Sequence, residues 1–213
     1  VPVVERNGIR FGFAAFTQHT NGIPLPQDKQ EMITYTDQIE RMHQQIEQLE
    51  QTADLTVVSV HWGEENSTTP TDYQREFAQQ LTEWGADLII GTHPHVLQPV
   101  EEITSPNGNR ATVLYSLGNF ISAQADRANL VGAIAQIEVE KDPSTEKITI
   151  HPPQLQPVIT CYQSGYAQLH LLPFCDYTGE LGDQRGQPLS RDYIRQLVSS
   201  VVDLAFLAEG ALD

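Results

Sequence analysis

The stretch "TVVSVHWGEE", residues 56–65, decides how the chain is read. It runs largely apolar to Val60 and then presents His61, Trp62, Gly63 and two carboxylates, Glu64 and Glu65. With Asp54 and Leu55 ahead of it, this is a strand of the kind buried on both faces of a parallel sheet. A second apolar run, "LIIGTHPH" at 88–95, closes in the same way on His93 and His95. Between the two, Tyr73, Phe77, Leu81 and Trp84 form the apolar stripe of a helix. Thr69 is its expected cap, Pro70 its first residue and Gly85 its end. Strand, helix and strand make a βαβ unit, whose two strands lie parallel in one sheet.

Upstream, "VPVVERNGIRFGFAAF" reads as two short strands around a turn at Asn7-Gly8, followed by the loop "TQHTNGIPLPQDKQ". From about Asp37 to Thr52 the period becomes helical, with Ile39, Met42, Ile46 and Leu49 on one face and Thr36 as the expected cap. Downstream the pattern turns antiparallel. "VLQPVEEI" and "ATVLYSL" flank the turn "TSPNGNR", and "AIAQIEVE" and "KITIHPPQL" flank "KDPST". Residues 190–208 read as a terminal helix capped by Ser190, with Tyr193, Leu197, Val201 and Leu204 along one side. The expectation is an α/β (α+β mixed) fold in a single domain over 1–213, with 176–213 as a C-terminal extension and helix.

The chain of 213 residues carries 12 Lys and Arg against 28 Asp and Glu, a net charge of −16. Phosphate-backbone binding needs clustered cations, and no Lys/Arg run exists, so nucleic acid is not an expected partner. Cys161 and Cys175 are too few for a disulfide framework; one bridge between them stays open in an oxidising compartment. No window has the length of apolar residues that spans a bilayer. The first residues read as strand from the outset, so the sequence is expected to be the interior of a longer protein.

Ligands of parallel α/β sheets sit at the carboxyl ends of the strands, where His61, His93 and His95 lie. Strands spaced about 4.8 Å apart bring such imidazoles within reach of one or two ions. A single histidine after a strand is more often a hydrogen-bonder than a ligand, but two such endings on one βαβ unit favour a metal. Pro94 stiffens the relation of His93 to His95. Carboxylate or amide oxygens would extend the ligand set, and Glu64, Glu65 and Asn119 are the nearest. His19 could add a ligand or a substrate contact, and Asn119 and Ser116 in "YSLGNF" could expose polar groups to a substrate. His43, His151 and His170 are expected to be structural. No phosphate loop and no nucleophile elbow appears, which disfavours covalent catalysis.

Taken in order, "VVSVHWGEE", "GADLIIGTHPHVLQPVE" and "YSLGNFI" resemble the CapA family of capsule and poly-γ-glutamate synthesis proteins, similar in turn to calcineurin-type metallophosphoesterases. The resemblance implies two packed mixed β-sheets flanked by helices and a divalent metal centre of Mn, Zn or Fe, dinuclear in the full-length protein. His61, His93 and His95 match its metal positions; His61, His93 and Glu65 match catalytic ones; Asn119, Ser116 and His19 are candidates for substrate contact. Family members also carry a "GD" aspartate and an "NNH"-like element in an N-terminal half. Neither stands ahead of these motifs, so this chain is expected to be a C-terminal portion holding half of the centre. The implied function is a cell-surface protein of capsule biosynthesis with a phosphoesterase-like hydrolase site, acting on an anionic envelope polymer or phosphoester beside membrane synthesis proteins. The alternative is a non-catalytic polymer-binding or assembly factor. The implied location is the extracellular face of the bacterial membrane.

Overall fold

The computed structural model describes residues 1–124, 126–179 and 186–213; within the 176–213 extension, 180–185 therefore lie outside the described residues. The N-terminal hairpin comprises β1 (Val3–Arg6) and β2 (Ile9–Thr17), joined by Asn7 and Gly8, both at positive φ as a tight hairpin turn requires. Then come α1 (Ile39–Thr52), β3 (Leu55–His61), α2 (Asp72–Trp84) and β4 (Leu88–Thr92). The hairpin β5 (Val100–Thr104) and β6 (Arg110–Leu114) completes a six-stranded mixed sheet, ordered β1-β2-β3-β4-β6-β5. Its centre, β2, β3, β4 and β6, is parallel, and the edge strands β1 and β5 run antiparallel.

Beyond it lie β7 (Val131–Gln136), β8 (Val139–Lys141), β9 (Ile148–Ile150), β10 (Gln154–Gln163), β11 (Ala167–Pro173) and α3 (Arg191–Val201). A three-stranded antiparallel sheet, β11-β10-β7, and the ribbon β8-β9 are built from these strands.

Alternate residues of β3 face opposite cores. Val58 and Val60 pack with Ile89 and Val113 against Met42, Ile46 and Leu49 of α1 and Phe77 and Leu81 of α2. Leu55 and Val57 pack with Leu88 and Leu114 against Val131, Leu155 and Ile159 of the second sheet and Leu130 just ahead of β7, with Ile194 and Val198 of α3 closing that core. Each such side chain contributes roughly 1.5–3 kcal/mol by leaving water. The central sheet is thus covered on both sides, as the continuous apolar runs require.

Three helix-end expectations are corrected. The cap of α2 is Thr71, not Thr69: Thr71 accepts from Gln74 N–H while the Gln74 side chain accepts from Thr71 N–H, a reciprocal pair that satisfies two otherwise free amides. Pro70 therefore precedes the helix. Thr36 does not cap α1, which starts from Gln38 without a side-chain cap; the Thr36 hydroxyl accepts from the Tyr73 hydroxyl at 2.7 Å instead. Ser190 does cap α3, but that helix ends at Val201 and buries Ile194 and Val198, with Tyr193, Leu197 and Val201 only flanking them. Leu204 lies past its end, 66% exposed. The Cys161 and Cys175 thiols are free, so the bridge left open by composition is not formed.

Candidate metal centre

Thr17, His61 and Thr92 stand side by side in register at the carboxyl ends of β2, β3 and β4. The three loops that leave these strands therefore emerge at one place. Main-chain bonds tie the exits together, Gln18 N–H to His61 O and Trp62 N–H to Thr92 O. Asn66 N–H reaches Pro94 O across the same gap.

Small residues let the elements close up. A Cβ at Gly91 would overlap the Tyr115 carbonyl and the Trp62 indole nitrogen, which are bonded to each other at 3.0 Å. Gly63, at φ 85°, leaves no room between its backbone and the Gln74 amide. His93 and His95 themselves hold positive φ, 99° and 62°, a costly conformation for non-glycine residues that clusters at functional sites.

Four imidazoles result in one pocket. Ring centroids of His61 and His93 are 4.4 Å apart, His19 and His93 4.6 Å, His19 and His61 5.2 Å, and His93 and His95 5.9 Å. Two sets of ligand atoms lie within 4.8 Å of one another: His19, His61 and His93, and Glu65, His93 and His95. His93 belongs to both.

Hydrogen bonds orient two of these rings. Thr17 Oγ1 gives its proton to the His19 carbonyl at 2.6 Å, so at its 3.1 Å contact with His61 Nδ1 it accepts. In neutral His61 the proton is then on Nδ1 and Nε2 keeps its lone pair. His95 Nδ1 likewise donates to Asn119 Oδ1 at 2.9 Å, which leaves Nε2 free, 3.9 Å from Glu65 Oε1. This is how the outer nitrogen of a metal-binding histidine is ordinarily held. His93 Nδ1 is buried and has no hydrogen-bond partner among the described residues. Burial, then the neighbouring histidines, holds His61 and His93 below the usual imidazole range, which favours the neutral, ligating form. An orphaned nitrogen among imidazoles, with one carboxylate at hand, fits Zn, Mn or Fe.

The remaining candidates take other places. Asn119 reaches the pocket through His95, its amide nitrogen donating to Gln124 Oε1 and the Asn129 carbonyl. Ser116 is 3% exposed and its hydroxyl accepts from Gly118 N–H, so it shapes the turn and does not face solvent. Glu64 belongs to neither ligand set. Two contributors carry no signal in the sequence: Thr17, recognisable only once its register beside His61 is known, and Asn129, whose amide bridges Asn66 Oδ1 and the His95 carbonyl.

A layered α/β domain that gathers histidines at the carboxyl ends of parallel strands is the class of protein this fold and site define. Within that class the chain belongs to the family described as bacterial capsule synthesis protein PGA_cap, whose model matches residues 1–124. It is 36% identical over 131 residues to the PGA biosynthesis protein CapA of Bacillus subtilis strain 168, covering 62% of this chain and 30% of that protein. The same identity extends over 104 residues of the capsule biosynthesis protein CapA of Bacillus anthracis, covering 49% of this chain and 24% of that protein. The match therefore spans under a third of either relative's length. A solved Staphylococcus aureus structure described as a 5'-nucleotidase, in complex with alpha-ketoglutarate, aligns over 93% of this chain and 33% of its own at 14% identity and TM-score 0.46. Among the described residues, no helix is long and apolar enough to cross a membrane.

Proposed function

We propose that this chain forms part of a cell-surface protein of capsule or poly-γ-glutamate biosynthesis and carries a metal-dependent, phosphoesterase-like hydrolase site. The observation that carries this reading is the pair of ligand sets sharing His93, with the His93 Nδ1 atom buried and unpartnered. Family membership and the names of its Bacillus relatives support the polymer context. A loaded pocket would gain a Lewis acid that lowers the pKa of a water and offsets charge on a developing oxyanion.

The chain's own residues do the rest. His61 and His95 present Nε2 because Thr17 and Asn119 hold their other nitrogen. Glu65, 51% exposed at its side chain beside His95, is placed to take a proton from a water entering from solvent. A cavity of about 700 Å³ opens from His19 and His61 along Phe13, Ile23 and Met32 to Arg41, room for a polymer segment or phosphoester. Membrane synthesis proteins are the proposed partners and the extracellular face the proposed location.

The test is metal titration, then turnover of bis(p-nitrophenyl) phosphate and of poly-γ-glutamate. Metal-dependent hydrolysis of either that disappears in His61→Ala supports the proposal. Tight metal and polymer binding without turnover of either would replace it with a non-catalytic assembly role.

A further inference from the structure

We propose that His19 is a metal ligand in its own right, and that His19, His61 and His93 form an all-imidazole site distinct from the set that Glu65 and His95 make with His93. This rests on the reading that the cluster holds metal, but concerns a residue outside the motifs that carry the family resemblance. His19 comes from the loop after β2, a Gly- and Pro-containing connection of the sort that ordinarily stays on the surface.

The loop is anchored on both sides of His19. The Thr17 hydroxyl donates to the His19 carbonyl, Gln18 N–H donates to the His61 carbonyl, and Gln18 Oε1 accepts from Gly63 N–H at 3.1 Å. These bonds bring the His19 ring edge-on to both partners, at interplanar angles of 83° to His61 and 84° to His93. None of the hydrogen bonds described for the chain joins the three rings to one another, although their ligand atoms lie within 4.8 Å. Polar rings at this spacing normally pair or share a partner, and His93 Nδ1, buried among them, has none. Among the described residues, the one hydrogen bond to the His19 ring is a 3.4 Å contact from Asn21 N–H to Nδ1, beyond the usual range for a good bond, so little is lost if the ring turns to an ion.

The donor types predict which ions prefer it. Three imidazoles without an oxygen suit borderline ions such as Zn²⁺ and Co²⁺, whereas the set containing Glu65 also suits Mn²⁺.

The test is titration of this chain with Co²⁺, read by its visible d–d bands, in the unsubstituted protein, His19→Ala, His61→Ala, His93→Ala and His95→Ala, each checked for fold by circular dichroism. The expected result is strong bands of a low-coordinate nitrogen site, weakened by about tenfold or more in Co²⁺ affinity in His19→Ala and retained in His95→Ala. If His19→Ala titrates like the unsubstituted protein while His61→Ala and His93→Ala lose binding, the role of His19 is overturned and the metal reading stands. If the unsubstituted protein takes up no Co²⁺, both are overturned.

Discussion

His95 Nδ1 lies 2.9 Å from Asn119 Oδ1, and the Asn119 amide nitrogen is held by Gln124 Oε1 at 2.9 Å and the Asn129 carbonyl at 3.0 Å. The amide cannot turn over without losing both donor contacts, so it fixes which nitrogen of His95 carries the proton. Asn119→Ala is expected to weaken metal affinity about 10- to 100-fold, the usual effect of losing such an orienting partner. Calorimetric titration with Mn²⁺, the ion that the set of Glu65, His93 and His95 also suits, checks this. Unchanged affinity would mean the ring is oriented by something else.

Gly91 tests the scaffold under the site. A methyl there has no space between the Tyr115 carbonyl and the Trp62 indole, both fully enclosed. Relief requires β4 to move from β6 or the 3.0 Å indole bond to break. Gly91→Ala is expected to cost about 3 kcal/mol, the upper part of the range for overpacked interiors, as read by urea unfolding. A loss within experimental error would show the packing to be looser than described.

The two threonines ahead of α2 separate two readings of its start. Thr71→Ala removes the acceptor of Gln74 N–H and is expected to cost about 1 kcal/mol. Thr69→Ala is expected to stay within about 0.5 kcal/mol, as for surface positions without special contacts. Thermal unfolding of both variants side by side gives the comparison.

Periodicity sets how much of the fold is legible in the sequence. The strands around His61 and His93 are readable because burial on both faces demands an unbroken apolar run, and the parallel βαβ unit then puts three histidines at the carboxyl ends of its strands. Helix starts are less so: Thr69 and Thr71 are chemically equal, and only the return bond from Gln74 chooses between them. The face of α3 is easily misread because apolar residues occupy two adjacent rows, and contact with Phe174, Leu189 and the second sheet selects Ile194 and Val198. His19 joins the centre through loop closure over long sequence separation, which no local pattern records. Asn119 is visible as a polar group at a turn, but its commitment to His95 depends on a contact spanning 24 residues.

Asp87 makes stability depend on pH at the opposite end of the sheet. Burial pushes its carboxyl up to about 6, against the Thr56 N–H bond at 2.7 Å that lowers it, and the charge of Glu50 adds to the rise. The folded chain thus keeps a proton between about pH 4 and about pH 6 that the unfolded chain has already released. The stabilising contribution is complete below that window and is lost as pH rises through it. Asp87→Asn keeps an oxygen acceptor for Thr56 without the charge. It is expected to be more stable than the unsubstituted protein at about pH 7.5, by at most about 3 kcal/mol, with the advantage fading by about pH 4. Urea midpoints measured across that range check it, and an advantage that grew toward acid pH would reverse the sign.

The central claim is that the imidazoles at the ends of β2, β3 and β4 enclose an ion. Crystals of this chain soaked with Zn²⁺ and measured at the zinc absorption edge test it most directly. The account predicts an anomalous peak about 2.0–2.1 Å from imidazole nitrogens of His61 and His93. Anomalous peaks confined to surface carboxylates, with the His61 and His93 rings in clear density and no ion between them, would contradict it.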